Sequence, residues 1–214
     1  VEIRYAGISL KSGEDVRFKW RAPGLQENWA SVGTARVASF LKSAGLKKGD
    51  RICWIGKNSD IYFTLFYGAA RLGVVMAPIG WRLAPPEWAY IVNDTRSKIV
   101  FTGPGFEHVA QALTGQLQHA PRFIGEAEAR QIVATTDRIA FDAAGPDDAV
   151  LQLYTSGTTG NPKGVVHTHK TLLDRADAGA EFDRLTSAEE VLAYLPPAWI
   201  GQNIFSYAQW LACG

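Results

Sequence analysis

Cysteine, methionine and histidine are scarce, at 2, 1 and 4 of 214 residues. Cys53 sits inside an apolar run and Cys213 near the end of the chain, with no metal-ligand spacing between or around them. That pattern argues against a disulfide scaffold and a zinc module, leaves no expected metal ligands, and suits a reducing compartment. Charge of either sign is not in excess: 22 Lys and Arg face 21 Asp and Glu, a net charge of +1, which leaves no electrostatic footprint for nucleic acid. No apolar stretch approaches the ~18 residues that cross a bilayer, and no basic segment followed by an apolar one opens the chain. A G-x-S-x-G elbow is also missing, so a serine nucleophile of that type is not expected. These absences point to a soluble, cytoplasmic protein with small-molecule partners, and leave open a peripheral contact with a membrane and a homodimer.

Hydrophobic residues make up 47% of the chain, enough for one sizeable core. Their spacing alternates between two periods. A helical pattern runs from Trp29 to Ala44 with Gly45 after it, and Arg51 to Ile55 is a short apolar strand bounded by Gly49 and Gly56. Asn58 or Ser59 caps a second helix ending at Leu72 and Gly73. Further strands are expected at Val74 to Ile79, Lys98 to Thr102 and Arg122 to Ile124. Helices from Pro85 to Asn93 and from Phe106 to Leu117 separate them. Such alternation predicts an α/β fold, with largely parallel sheets flanked by helices in layers. The pattern weakens between Glu126 and Asp148, which divides the chain into a first α/β subdomain (1–125), a connector (126–148) and the start of a second subdomain (149–214). In the last, Ala149 to Tyr154, Val165 to Thr168 and Val191 to Leu195 read as strands and Thr171 to Asp183 as a helix.

Between the first two of those strands lies Thr155-Ser156-Gly157-Thr158-Thr159-Gly160-Asn161-Pro162-Lys163-Gly164. Glycines at 157, 160 and 164 permit positive φ and close approach of backbone N–H groups to an anion. Thr155, Ser156, Thr158 and Thr159 add hydroxyl donors, and Lys163 adds charge. A Walker loop would open into a helix after its lysine, whereas Lys163 is followed by Gly164 and two valines, so it projects between extended segments. On residues alone, a Ser/Thr/Gly surface hairpin and a polyphosphate cradle both remain open. His167 and His169 alternate as strand neighbours do, but without further ligands at suitable spacing they fit packing or helix capping better than zinc.

The string Leu153 to Gly164 resembles the phosphate-loop signature of the adenylate-forming enzymes, a superfamily of acyl- and aryl-CoA synthetases, peptide adenylation domains and luciferases. Leu46-Lys47-Lys48-Gly49-Asp50-Arg51-Ile52 with Asn58-Ser59 is similar to a second family segment. Gly73 to Ile79 with Trp81 to Glu87 resembles a stretch of bacterial fatty-acyl-CoA ligases, and Leu195 to Gly201 sits where the family has its acyl-pocket segment. The resemblance implies ATP with Mg2+ at Thr155, Ser156, Gly157, Thr158, Thr159, Gly160, Lys163 and Gly164, with Lys163 the catalytic charge. It implies substrate contact at Trp199, Ile200 and Gly201, and coenzyme A as second substrate at a site outside this chain. Many acyl-CoA ligases carry Pro-Leu-Phe-His where this chain has Pro196-Pro197-Ala198-Trp199, and the Ala-Trp-Ile-Gly string resembles long-chain acyl-CoA synthetases.

The expected activity is therefore an AMP-forming acid-thiol ligase, with a fatty acid favoured over an aryl or branched acid or a carrier-protein adenylation role. A non-catalytic nucleotide- or lipid-binding module is the alternative from another class. The chain opens on Val1 and closes on Ala212-Cys213-Gly214, which reads as a piece of a longer protein, inactive by itself.

Overall fold

In the computed structural model, residues 4–6, 19–22, 26–31, 34–155, 160–186, 188 and 192–213 are described. Three antiparallel strands, β1 (Arg4–Ala6), β2 (Lys19–Ala22) and β3 (Gln26–Ser31), form a small sheet that apolar periodicity had not indicated. Trp29 thus belongs to a strand, and the helix expected from it begins only at Thr34, as α1 (Thr34–Ser43). The main sheet has six strands: β4 (Arg51–Ile55), β5 (Val75–Ile79), β6 (Ile99–Thr102), β7 (Arg122–Gly125), β8 (Ala149–Thr155) and β9 (Lys163–Thr168). Their spatial order is β7-β6-β4-β5-β8-β9. All pairings are parallel except β8 with β9, so the expectation of a layered, largely parallel α/β fold holds, with one antiparallel strand at the edge.

Strand alternation sorts the core into two layers. Ile52, Trp54, Met76, Phe101 and Leu151 face one side, against α1 and α2 (Asp60–Leu72). Cys53, Ile55, Ala77 and Val100 face the other, against α3 (Pro85–Thr95) and α4 (Val109–Ala112). This division follows from the crossovers. The chain moves one way from β4 to β5 and the opposite way from β5 to β6, so crossovers of one hand must put α2 and α3 on opposite faces. Fully buried side chains such as Trp54, Tyr62 and Phe101 each contribute about 1.5–3 kcal/mol. Cys53 is one of them: burial pushes its thiol up to about 11, against hydrogen bonds from Ser97 and Thr95 that act the other way.

Local chemistry sets the element ends. Ser59 Oγ accepts the N–H of Tyr62 as the N-cap of α2, and Gly73 closes that helix at φ 75°. Residues 126–135, expected as connector, form α5 (Glu126–Thr135). Its buried face consists of Ala129 and Ile132 alone, too narrow to register as a period, while Glu126 and Glu128 favour its N-terminus. Conversely, the helix expected from Phe106 to Leu117 shrinks to α4, with Gly105 and Gly115 at positive φ on either side. Strands from both sides of the expected connector share the main sheet, because β8 lies beside β5.

After β9 come α6 (His169–Asp183), α7 (Ile200–Asn203), a π-helical turn at Ile204–Ala208 and α8 (Gln209–Cys213). Val191 lies outside the described residues, and residues 192–195 form no strand. The carbonyls of Ala193 and Leu195 bond instead to the side chain of Asn58.

The α1–α2 contact depends on Gly68, where a Cβ would lie 2.4 Å from Val37 Cβ. Gly68→Ala is expected to lower stability by about 1–3 kcal/mol through overpacking, read as a shift in the denaturant midpoint.

Candidate active site at the carboxyl edge of the sheet

Parallel pairing brings the carboxyl ends of β4, β5, β6, β7 and β8 to one edge of the sheet, the edge where open α/β sheets hold their ligands. The motif at Thr155 to Gly164 leaves β8 at that edge and returns as β9. Thr155 and Lys163 are the terminal pair of the hairpin, both exposed, so a hydroxyl and an ammonium stand on opposite sides of its mouth. Lys163 is the first residue of β9 rather than part of the turn. Gly160 has φ 119°, a conformation that side chains other than glycine's rarely adopt. Ser156, Gly157, Thr158 and Thr159 lie outside the described residues.

Gly164 does not take the positive φ expected of it. It lies within β9, outside the positive-φ glycines, and a Cβ there would stand 2.5 Å from Gln152 Nε2 and 3.2 Å from Tyr154 Cζ. Glycine is needed for space. Those two neighbours belong to a polar brace beneath the hairpin. Tyr154 Oη donates to Asp94 Oδ2 at 2.5 Å and accepts from Gln152 Nε2 at 2.8 Å, and Gln152 Oε1 accepts from Arg51 Nε at 3.4 Å. The brace runs from α3 through β8 to the start of β4. Burial, then the Asp94 carboxylate, push the Tyr154 phenol far up, so it remains a donor at any physiological pH.

The far end of the hairpin is also fixed. Thr168 caps α6, with its Oγ1 accepting the N–H of Thr171 at 3.1 Å. His169 N donates to Asp148 O and Lys170 N to Pro146 O, while Lys48 pairs with the Asp148 carboxylate at 2.7 Å. His167 therefore lies on β9 and His169 on a helix, so they are not strand neighbours. Among the described residues, no three His, Cys, Asp or Glu side chains converge as a metal site.

Trp199 stands at the N-cap of α7 with 56% of its surface exposed, beside Ile200 at 44%, and Phe205 on the following turn is 53% exposed. Gly201 is tight: a Cβ there would approach Leu195 Cδ1 to 3.2 Å. The backbone leading to Trp199 is held to the same sheet edge by Asn58, three residues beyond β4, whose Nδ2 donates to Ala193 O at 3.1 Å and Leu195 O at 2.8 Å. In the sequence Asn58 stands out as a rival cap for α2 and, with Ser59, as part of a family-like segment, whereas Asp94, Gln152 and Asn203 carry no signal at all. An isolated polar residue after a strand carries no signal that it reaches a segment 135 residues away.

The model of the family described as AMP-binding enzyme matches residues 33–214. This chain belongs to that family. Among curated relatives, it is 38% identical to the long-chain-fatty-acid–CoA ligase FadD13 of Mycobacterium tuberculosis over 166 residues, covering 75% of this chain and 33% of the relative. It is 38% identical to the fatty acid–[acyl-carrier-protein] ligase ScoC of Streptomyces coeruleorubidus over 145 residues, 67% of this chain and 28% of that protein. With the 3-hydroxybenzoate–CoA ligase of Aromatoleum sp. it shares 28% over 193 residues, 80% of this chain and 37% of the relative. The chain thus spans about a third of the length of these relatives. Its fold resembles the N-terminal domain of FACL13 from M. tuberculosis, at TM-score 0.75 and 30% identity over 87% of this chain and 49% of that one. ATP-bound MatB from Rhodopseudomonas palustris superposes at TM-score 0.74 with 25% identity, over 87% of this chain and 39% of that one. The fold is that of the N-terminal domains of AMP-binding, adenylate-forming enzymes.

Two predictions test the hairpin of this AMP-binding domain. Gly164→Ala is expected to force Gln152 and Tyr154 out of the brace, at a cost of about 1–3 kcal/mol, seen as faster amide exchange in β8 and β9 with less change in β6 and β7. The second concerns pH. Burial holds the imidazoles of His167 and His169 below their ordinary 6.5, opposed at His169 by Asp148 and a bond to the Ala70 backbone. The unfolded chain then takes up protons first, so the stability these groups contribute is full above 6.5 and is lost as pH falls below it. The unfolding midpoint should drop between pH 7.5 and 5.5, and His169→Gln should flatten part of that drop.

Proposed function

We propose that this chain is the N-terminal part of an ATP-dependent acyl-CoA synthetase that activates a fatty acid in the cytoplasm. The observation that carries this reading is the hairpin mouth, where Thr155 and Lys163 close the hydroxyl- and glycine-rich turn at the carboxyl edge of the sheet. Membership of the AMP-binding family supports ATP as the ligand.

A substrate carboxylate oxygen attacks the α-phosphorus of Mg·ATP, and pyrophosphate departs with the electrons of the broken P–O bond. The thiol of coenzyme A, losing its proton, then displaces AMP from the acyl-adenylate and forms the thioester. The chemical demand is to hold two anions together and to neutralise charge on the leaving pyrophosphate, which positioned donors accomplish without a protein nucleophile. Lys163 and the loop hydroxyls and amides grip the β- and γ-phosphates. Mg2+ enters as part of the nucleotide and spreads the triphosphate charge; the hydroxyl oxygens of the loop suit such a hard cation. The glycines let the loop move aside as pyrophosphate leaves.

The exposed indole of Trp199 with Ile200 and Phe205 offers apolar surface to an acyl chain, at about 0.8 kcal/mol per methylene buried. Higher identity to fatty-acid ligases than to the hydroxybenzoate ligase supports the same substrate class. Similarity to ScoC, a carrier-protein ligase by name, supports a phosphopantetheine carrier as second candidate acceptor. Comparing thioester formation with coenzyme A and with a holo carrier protein separates the two acceptors.

Lys163→Ala in the full-length enzyme is expected to slow fatty-acid-dependent ATP–pyrophosphate exchange by about 100- to 1,000-fold, the scale of losing one preorganised donor. An unchanged rate removes Lys163 from the site. Residues 1–214 alone are expected to form no acyl-CoA, and turnover by them would contradict the reading.

A further inference from the structure

Four backbone carbonyls between Ala193 and Trp199 are captured by two asparagine side chains. Asn58 Nδ2 donates to Ala193 O at 3.1 Å and to Leu195 O at 2.8 Å. Asn203 Nδ2 donates to Pro197 O at 3.0 Å and to Trp199 O at 2.7 Å. The acceptors alternate strictly, at 193, 195, 197 and 199. Each amide spends both N–H bonds on this one stretch, and two carbonyl oxygens facing the same atom require it to be nitrogen. The asparagines come from opposite ends of the arrangement. Asn58 precedes the cap of α2 at the carboxyl end of β4, whereas Asn203 closes α7 and is 1% exposed.

We propose that Asn58 and Asn203 are positioning residues that clasp the backbone of 193–199 and thereby aim Trp199, setting which acids the enzyme accepts. The inference rests on the synthetase reading above. Pro196 and Pro197 have no N–H, so this stretch cannot be laddered into the sheet as an ordinary strand, and side-chain amides take the place of a neighbouring strand. The indole of Trp199 is more than half exposed, so burial does not hold it. Its aim is set by its backbone, where Trp199 N donates to Pro196 O at 3.0 Å and Trp199 O is held by Asn203. Asn58 ties the other end of the stretch to the sheet edge that carries the phosphate hairpin. A loosened clasp frees the indole while leaving Thr155 and Lys163 untouched.

The test uses the full-length enzyme with Asn58→Ala and Asn203→Ala, each alone and with Trp199→Ala. Three quantities are read: amide exchange of a peptide spanning 192–199, the ratio of kcat/KM for dodecanoate over benzoate, and KM for ATP. Each asparagine substitution is expected to speed exchange by about tenfold, the loss of bonds to two carbonyls, and to shift the ratio about fivefold or more with KM for ATP within about twofold. In the Trp199→Ala background the ratio should no longer respond, because the clasp acts through that indole. If Asn58→Ala does not fold, Asn58→Ser, whose hydroxyl is too short to reach either carbonyl but keeps the site polar, should give the same shift. Unchanged exchange, an unchanged ratio, or a ratio that moves only together with KM for ATP overturns the proposal. Absence of acid-dependent pyrophosphate release in the unsubstituted enzyme defeats the synthetase reading instead, and the exchange data still decide whether the clasp exists.

Discussion

The pairing of β8 between β5 and β9 is the interaction on which the rest depends. On one side it is parallel and extends a sheet whose central strands β4, β5 and β6 are buried on both faces; on the other it is antiparallel and closes a hairpin. Parallel alignment is what delivers the hydroxyl-rich turn to the same edge as the ends of β4 and β5, and the antiparallel return is what places Lys163 opposite Thr155. A hairpin at a sheet margin twists readily, since among the described residues β9 has no further strand beside it and Val165 and Val166 on it are exposed. The brace of Tyr154, Asp94, Gln152 and Arg51 from below and the capped start of α6 from the far end counter that freedom.

The same edge is supplied by two kinds of support that differ in range. Hydrophobic layering fixes the strands, with side chains such as Trp54 and Phe101 removed from water altogether. Polar side chains then fix what the layering leaves loose. Asn58 reaches across more than a hundred residues to hold 193–195, and Lys48 anchors Asp148 beneath the entry to α6. Surface ion pairs of this second sort contribute little stability, so the role that suits Lys48 is placement rather than energy.

The sequence pattern revealed the central elements because the central strands are continuous apolar runs and the helices beside them bury regularly spaced residues. The strands β4 to β8 and helices α2 and α3 were readable from it, and Ser59 and Gly73 signalled the ends of α2. Where burial is slight the pattern failed: α5 shows the core only Ala129 and Ile132, and α4 is a single turn between two positive-φ glycines. At the site, motif spacing revealed the hairpin but not that Gly164, without positive φ, packs against the side chains of Gln152 and Tyr154 across the strand pair. Contacts of that kind join residues by fold rather than by spacing, and the hold of Asn58 on Leu195 is the extreme case.

In the proposed mechanism the hairpin mouth grips the triphosphate. Amide exchange of the full-length protein with and without Mg·ATP tests it most directly. Exchange across residues 151–166 should slow when Mg·ATP is bound, with the amino-terminal ends of β4 and β6 unchanged. Saturating Mg·ATP that protects another part of the molecule and leaves 151–166 as before would contradict it.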